Sequence, residues 1–257
     1  FRFEGGKGPV SKIGLPPEDS QAVQVREHEI AGLHITEVVV GEAGIDDELP
    51  LLVQFHGRSS RPTVPGGDQR RTPPMRLMLP WAPEVLGDGF TWFPLSVTEP
   101  KEDKVLGHYI RERVDQLAGI INASADRRPT EGLPIITGFS QGGMMGMGLA
   151  MLHPELIDGA FPLAGWLPTH LIDEGLARHP DVAIYPPIRI VNGDHDPVVP
   201  TEETLASVAY MQERGLDVRM DVFPNDAHNM TSEMYRHYRE QLRALIRRRR
   251  HEVSSFG

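Results

Sequence analysis

The chain has 257 residues, enough for one large domain or at most two small ones. Its formal net charge of −10 argues against nucleic acid and anionic membrane surfaces as partners. The absence of cysteine excludes disulfides, thiolate metal sites and a cysteine nucleophile, and no apolar run approaches the roughly 18 residues a membrane helix needs. Phe1, not methionine, opens the sequence, which is compatible with a leader already removed. The compartment is therefore unknown.

Residues 1–20 (FRFEGGKGPVSKIGLPPEDS) are rich in Gly, Pro and charge and read as an irregular arm. VQVREHEI and LHITEVVV then flank Ala31-Gly32 as a β-hairpin. After the polar GEAGIDDE comes LPLLVQFHG, a short apolar run typical of a buried strand. MRLML reads as a strand, residues 102–122 as a helix, LPIITGF as a strand and QGGMMGMGLAML as a helix. GAFPLAG and PPIRIVNG are strand candidates on either side of WLPTHLIDEGLARHPDVAIYP. A helix is expected from near Thr201, with Glu202 and Glu203 in its first turn, followed by the strand DVRMDVF and a last helix over 230–249. The run Arg247–Arg250 reads as its solvated, dipole-favoured end. Strands alternating with helices predict an α/β fold, a mostly parallel sheet covered on both faces. With no linker or internal repeat, residues 1–257 read as a single domain.

Functional groups in such a sheet collect at the carboxyl ends of its strands. Reading off those ends gives His56-Gly57-Arg58, Ser140-Gln141, Asp194-His195-Asp196 and Asn225-Asp226-Ala227-His228. Gly138-Phe139-Ser140-Gln141-Gly142 matches G-x-S-x-G between a strand and a helix, the pattern of a nucleophile on a strained turn. The bland alternative is a Gly-rich turn whose serine caps the helix. A phosphate loop is a weaker reading, since no lysine follows the glycines. Met144, Met145, Met147 and Met151 read mainly as packing, with Met144 a candidate for the pocket mouth.

A serine hydroxyl needs a base to take its proton, and the base must be held in one tautomer. His228 alone among the histidines follows both other candidates and stands at a strand end; His28, His34, His153 and His195 do not combine these features. For the acid, Asp196 precedes Pro197 and the apolar VVP, where the loop turns back under cover, while Asp194 reads as a turn former. The order Ser, Asp, His is that of the α/β-hydrolases. Two N–H donors are needed for the oxyanion: that of Gln141, next to the serine, and the backbone of Arg58 after LLVQFHG.

LLVQFHG, MRLMLPWAP, TWFPLS, GFSQGGMM, AGWLP, GDHDPVVP and DAHNM occur in the order found in the phospholipase/carboxylesterase family, which the chain resembles over residues 51–245. That family includes acyl-protein thioesterases and small carboxylesterases of the α/β-hydrolase fold. The resemblance implies a Ser140–Asp196–His228 triad, an oxyanion hole from Arg58 and Gln141, and Leu79, Trp92 and Trp166 near the acyl pocket. It also implies that no cofactor is needed. The expected activity is a serine carboxylesterase acting on short to medium acyl esters through an acyl-enzyme on Ser140. An acyl-thioesterase or lysophospholipase is the first alternative, a non-catalytic scaffold binding a ligand the second. A small-molecule ester is the expected partner, and a homodimer is allowed.

Two departures stand out. The loop RSSRPTVPGGDQRRTPP brings Arg58, Arg61, Arg70, Arg71 and, just beyond it, Arg76 into one short region, either to select an acidic or phosphorylated substrate or simply exposed to solvent. Trp81 stands where relatives often carry histidine, which predicts a more apolar entrance. The first 45 residues lie outside the family core.

Overall fold

A computed structural model of the chain describes residues 21–95, 103–125 and 127–255. The expected arm, residues 1–20, lies outside them. The hairpin forms as read, with β1 (Val23–Ile30) antiparallel to β2 (Leu33–Val40) around Ala31-Gly32, both at positive φ. The remaining strands are β3 (Leu51–Phe55), β4 (Met75–Pro80), β5 (Glu84–Leu86), β6 (Gly89–Thr91), β7 (Ile135–Phe139), β8 (Gly159–Leu163), β9 (Ile188–Gly193) and β10 (Val218–Phe223). The helices are α1 (Asp103–Ala125), α2 (Gln141–Leu152), α3 (Thr169–Arg178), α4 (Thr201–Gln212) and α5 (Ser232–Ser255).

Eight strands make one sheet in the order β1-β2-β4-β3-β7-β8-β9-β10. The pairs β1–β2 and β2–β4 are antiparallel, and every pair from β4 to β10 is parallel. Alternation along the strands divides the core between the two faces. Leu51, Val53, Phe55, Ile136, Ala160, Ile188 and Ile190 pack with α1 to α4. Leu52, Ile135, Phe161, Leu163 and Val191 turn the other way, onto α5. That helix presents Met234, Tyr238, Leu242, Leu245 and Ile246, a stripe at helical spacing, and α2 is buried along its whole length.

Two features were not read from the residues. The short pair β5–β6 turns at Gly87 and fastens to the loop after β3 through Phe90 N–H donating to Ser60 O at 2.8 Å. Three-residue strands are too short to show alternation. α5 also continues to Ser255, so the arginine run lies inside the helix rather than at its end. Arginine is a good helix former, and nothing in HEVSS stops the helix.

Candidate active site

The parallel strands deliver Ser140, Asp196 and His228 to one end of the sheet, just after β7, β9 and β10. Ser140 has φ 56° and ψ −118°, a conformation that costs an L-residue about 1–3 kcal/mol and is held here by neighbours on every side. Its N–H donates to Leu163 O at 2.9 Å, and its carbonyl accepts from Met144 N–H at 3.0 Å. The flanking glycines allow the turn to close. A Cβ on Gly138 would lie 2.4 Å from Gly142 O, and one on Gly142 would lie 2.2 Å from Phe55 O. Both obstacles are backbone. Ser140 makes no side-chain cap to α2, so the capping alternative is not what the hydroxyl does.

That hydroxyl meets His228 instead, with Oγ 2.9 Å from Nε2. On the other side of the ring, Nδ1 is 2.7 Å from Asp196 Oδ2. The carboxylate is an acceptor only, so Nδ1 carries the proton and Nε2 is left to accept from Ser140. Asp196 Oδ1 takes the Val198 and Val199 N–H groups, each at 2.8 Å, which fixes the carboxylate within its own loop. Its side chain has no exposed surface, and Phe139 stacks obliquely on the His228 ring with centroids 4.8 Å apart. Asp194 does what a turn former does: Oδ1 accepts from Asn225 N–H at 2.7 Å and meets His195 Nδ1 at 2.6 Å. His195 N–H also donates to Asp226 O at 3.0 Å, so the acid loop and the base loop are tied together.

The loop after β3 is oriented by His56, which serves as a structural hydrogen-bonder. Its Nε2 accepts from Ala82 N–H at 3.1 Å, so Nδ1 carries the proton and donates to Gly57 O at 2.8 Å. Across a trans peptide C=O and N–H point in opposite directions. With Gly57 O drawn back to the His56 ring, the Arg58 N–H is aimed away from that ring. Trp92 Nε1–H donates to His56 O at 2.8 Å and steadies the same turn. Gln141, at the start of α2, has a first-turn N–H with no partner inside the helix. Its side chain pins the segment after β6: Oε1 accepts from Thr91 Oγ1 and Trp92 N–H, and Nε2 donates to Phe93 O. The signal for His56 was in the sequence, since a histidine between an apolar strand and a glycine must find partners for two ring nitrogens.

Burial pushes the His56 pKa down. A pKa lowered on folding gives stability that is fully present above the ordinary histidine value of about 6.5 and is lost as pH falls below it. Urea unfolding from about pH 8 to about pH 5 should therefore show the midpoint falling on the acid side. His28, also held low chiefly by burial, acts with the same sign. His56→Leu should flatten the decline without removing it; an unchanged slope would show that His56 is not the group responsible.

Three of the residues expected near the acyl pocket are fully buried. Leu79, Trp92 and Met144 have no exposed surface: Leu79 packs on the α5 face, Trp92 against Phe55, and Met144 within α2. They support the site from beneath and line no open wall. Trp166, after β8, is only partly buried. Trp81 is not at an entrance either; it is buried, with Nε1–H donating to Thr36 Oγ1 at 2.9 Å. The cavity beside the candidate triad, about 290 Å³, opens on the α5 face and includes Phe139, His228, Arg61 and Tyr238 in its wall. Among the described residues no group of three or more His, Asp or Glu is arranged to hold a metal ion.

The arginines also separate. Arg76 is buried on β4, its Nε 3.0 Å from Glu37 Oε1. Arg70 and Arg71 precede the amino end of β4, the end of the parallel sheet opposite Ser140, and Arg70 is paired with Asp68 at 2.6 Å. Of the five, Arg61 lines the cavity.

The sequence profile described as Phospholipase/Carboxylesterase matches residues 69–246. Carboxylesterase SOBER1 of Arabidopsis thaliana is 24% identical over 148 residues, 56% of this chain and 62% of that protein. The chain spans less than two thirds of the length of the curated relatives it matches. Among solved structures, esterase PE8 superposes with a TM-score of 0.63 at 21% identity, covering 80% of this chain and 99% of that one. Acyl-protein thioesterase 2 of Zea mays gives 0.61 at 18% identity, covering 81% and 98%. Likeness at these identities speaks for the fold, an α/β-hydrolase sheet with helices on both faces. With the profile covering more than half of its residues, the chain belongs to the phospholipase/carboxylesterase family.

Proposed function

We propose that this chain is a serine hydrolase of carboxylic esters, a carboxylesterase for short to medium acyl groups that works through an acyl-enzyme on Ser140. The observation that carries the reading is the continuous chain of contacts from Ser140 Oγ through His228 to the buried Asp196. His228 Nε2 takes the Ser140 proton as Oγ attacks the ester carbonyl. The oxyanion is held by the N–H groups of Arg58 and Gln141. As the intermediate collapses, the bond to the alcohol oxygen breaks and His228 returns the proton to that oxygen. Water then repeats the sequence, with His228 as base and Ser140 as leaving group. Asp196 keeps Nδ1 protonated and stabilises the imidazolium.

Covalent labelling by a fluorophosphonate tests this directly, with the adduct mapped by mass spectrometry. Labelling at Ser140 is expected; no labelling, or equal labelling of Ser140→Ala, would sink the reading and favour a binding scaffold. A series of p-nitrophenyl esters of increasing acyl length, beside acyl thioesters, then decides the substrate class. A thioester preference would replace the carboxylesterase assignment.

A further inference from the structure

The cavity on the α5 face lies between the loop after β3 and the start of α5. Phe139, Leu163, Met230, Tyr235 and Tyr238 give it apolar and aromatic walls, while Ser60, Thr63 and Arg61 stand on the loop side. In a protein of net charge −10, no carboxylate among the described residues lines it. Arg61 is exposed and has no ion-pair partner among the described residues, unlike Arg70 and Arg76. The Tyr238 phenol in the wall is neutral at neutral pH, as an ordinary phenol is, and burial pushes it further up, to about 12.

Position decides which half of the ester would enter. In acyl transfer the base that deprotonates the nucleophile must later reach the leaving oxygen. The alcohol arm therefore lies on the His228 side, and His228, Asn229 and Met230 border this cavity. Gly57 stands between cavity and nucleophile. A Cβ there would be 3.7 Å from Ser140 Cβ and 3.3 Å from Phe139 Cδ1, so the turn after β3 packs closely on the nucleophile turn. A volume of about 290 Å³ accommodates one substituted aromatic ring or a group of similar bulk.

We propose that this cavity receives the alcohol arm of the ester and that Arg61 selects alcohols bearing an anionic group, a carboxylate or a phosphate. The proposal rests on the esterase reading above. It narrows the sequence expectation for the whole basic loop to one residue and one arm of the substrate.

The test compares kcat/KM at low ionic strength for phenyl acetate, 3-acetoxybenzoate, 3-acetoxyphenyl phosphate and monophenyl succinate, which moves the anion to the acyl arm. Wild type should favour 3-acetoxybenzoate or the phosphate over phenyl acetate. Arg61→Ala should lower that preference about five- to tenfold, mostly through KM, the scale of one partly exposed charge-assisted hydrogen bond. Arg61→Lys should retain part of it and Arg61→Glu should invert it. Whichever anionic ester responds more identifies the natural charge. An unchanged preference in Arg61→Ala, or a loss confined to monophenyl succinate, overturns the proposal. Fluorophosphonate labelling of Ser140 with no anion preference defeats only this inference, whereas absence of labelling defeats it together with the esterase reading.

Discussion

Asp196→Asn is expected to lower kcat by about 10⁴-fold while leaving the protein folded, the scale known for serine proteases in which the same change was made. The reason lies in how the two carboxylate oxygens are used. Oδ1 accepts from two backbone N–H groups and Oδ2 faces His228 Nδ1. Asparagine has one acceptor oxygen and one donor amide. Its oxygen must serve Val198 and Val199, because turning the NH₂ toward them sets donor against donors. The NH₂ then faces Nδ1, which must become an acceptor, and the ring proton moves to Nε2. In that tautomer His228 cannot take the Ser140 proton. Initial rates on a p-nitrophenyl ester and the rate of fluorophosphonate labelling should fall together, with an unchanged urea midpoint. Adding Asp196→Asn to Ser140→Ala should cost almost nothing further, since groups that act as a unit are strongly non-additive. A loss of less than about tenfold would mean that Asp196 does not set the tautomer.

The candidate site was legible because each strand is an apolar run that ends at a polar residue. LPIITGF, PPIRIVNG and DVRMDVF mark β7, β9 and β10, and a parallel sheet places their carboxyl ends on one side. Asp196 could be preferred to Asp194 because Pro197 and the following apolar residues turn the loop inward, and the structure buries Asp196 there. The cavity beside His228 was not legible. Its wall is assembled from the loop after β3, the rim of β7, the loop after β10 and the first two turns of α5, segments far apart in the chain. Leu79, Trp92 and Met144 illustrate the difference between being near a site and facing it. Their elements reach the end of the sheet that carries the candidate triad, but packing turns their side chains into the core. The grouping of arginines failed for a related reason. Proximity in sequence put Arg76 with the loop, whereas the start of β4 carries it into the sheet. The available signal was a lone charge in each of two apolar strands, Glu37 in LHITEVVV and Arg76 in MRLML.

Glu37→Leu is the second change expected to have a large effect, this time on stability rather than catalysis. Glu37 faces Met78 across the antiparallel pair β2–β4, which makes Arg76 its diagonal neighbour. Both are nearly buried, and Glu37 Oε1 lies 3.0 Å from Arg76 Nε and 3.0 Å from Arg128 Nε. Arg76 also donates to the carbonyls of Pro129, Ile45 and Asp47, so it joins β4 to two surface turns. Removing Glu37 leaves the buried Arg76 guanidinium without its principal counter-charge, with only Asp46 and Asp47 still acting on it, and breaking such a pair costs about 3–5 kcal/mol. Arg128 is better placed to adapt, because it is partly exposed and also meets Asp46. Arg76→Met should be destabilising for a different reason, the loss of donors to three carbonyls. The double variant should cost less than the sum of the two by about 0.5–3 kcal/mol, since neither charge is then left alone. Urea unfolding of the four proteins at one pH measures this, provided the m-values agree. Strict additivity would mean that Glu37 and Arg76 act on the fold independently, and the loops around Ile45 and Pro129 would then be held by the carbonyl contacts alone.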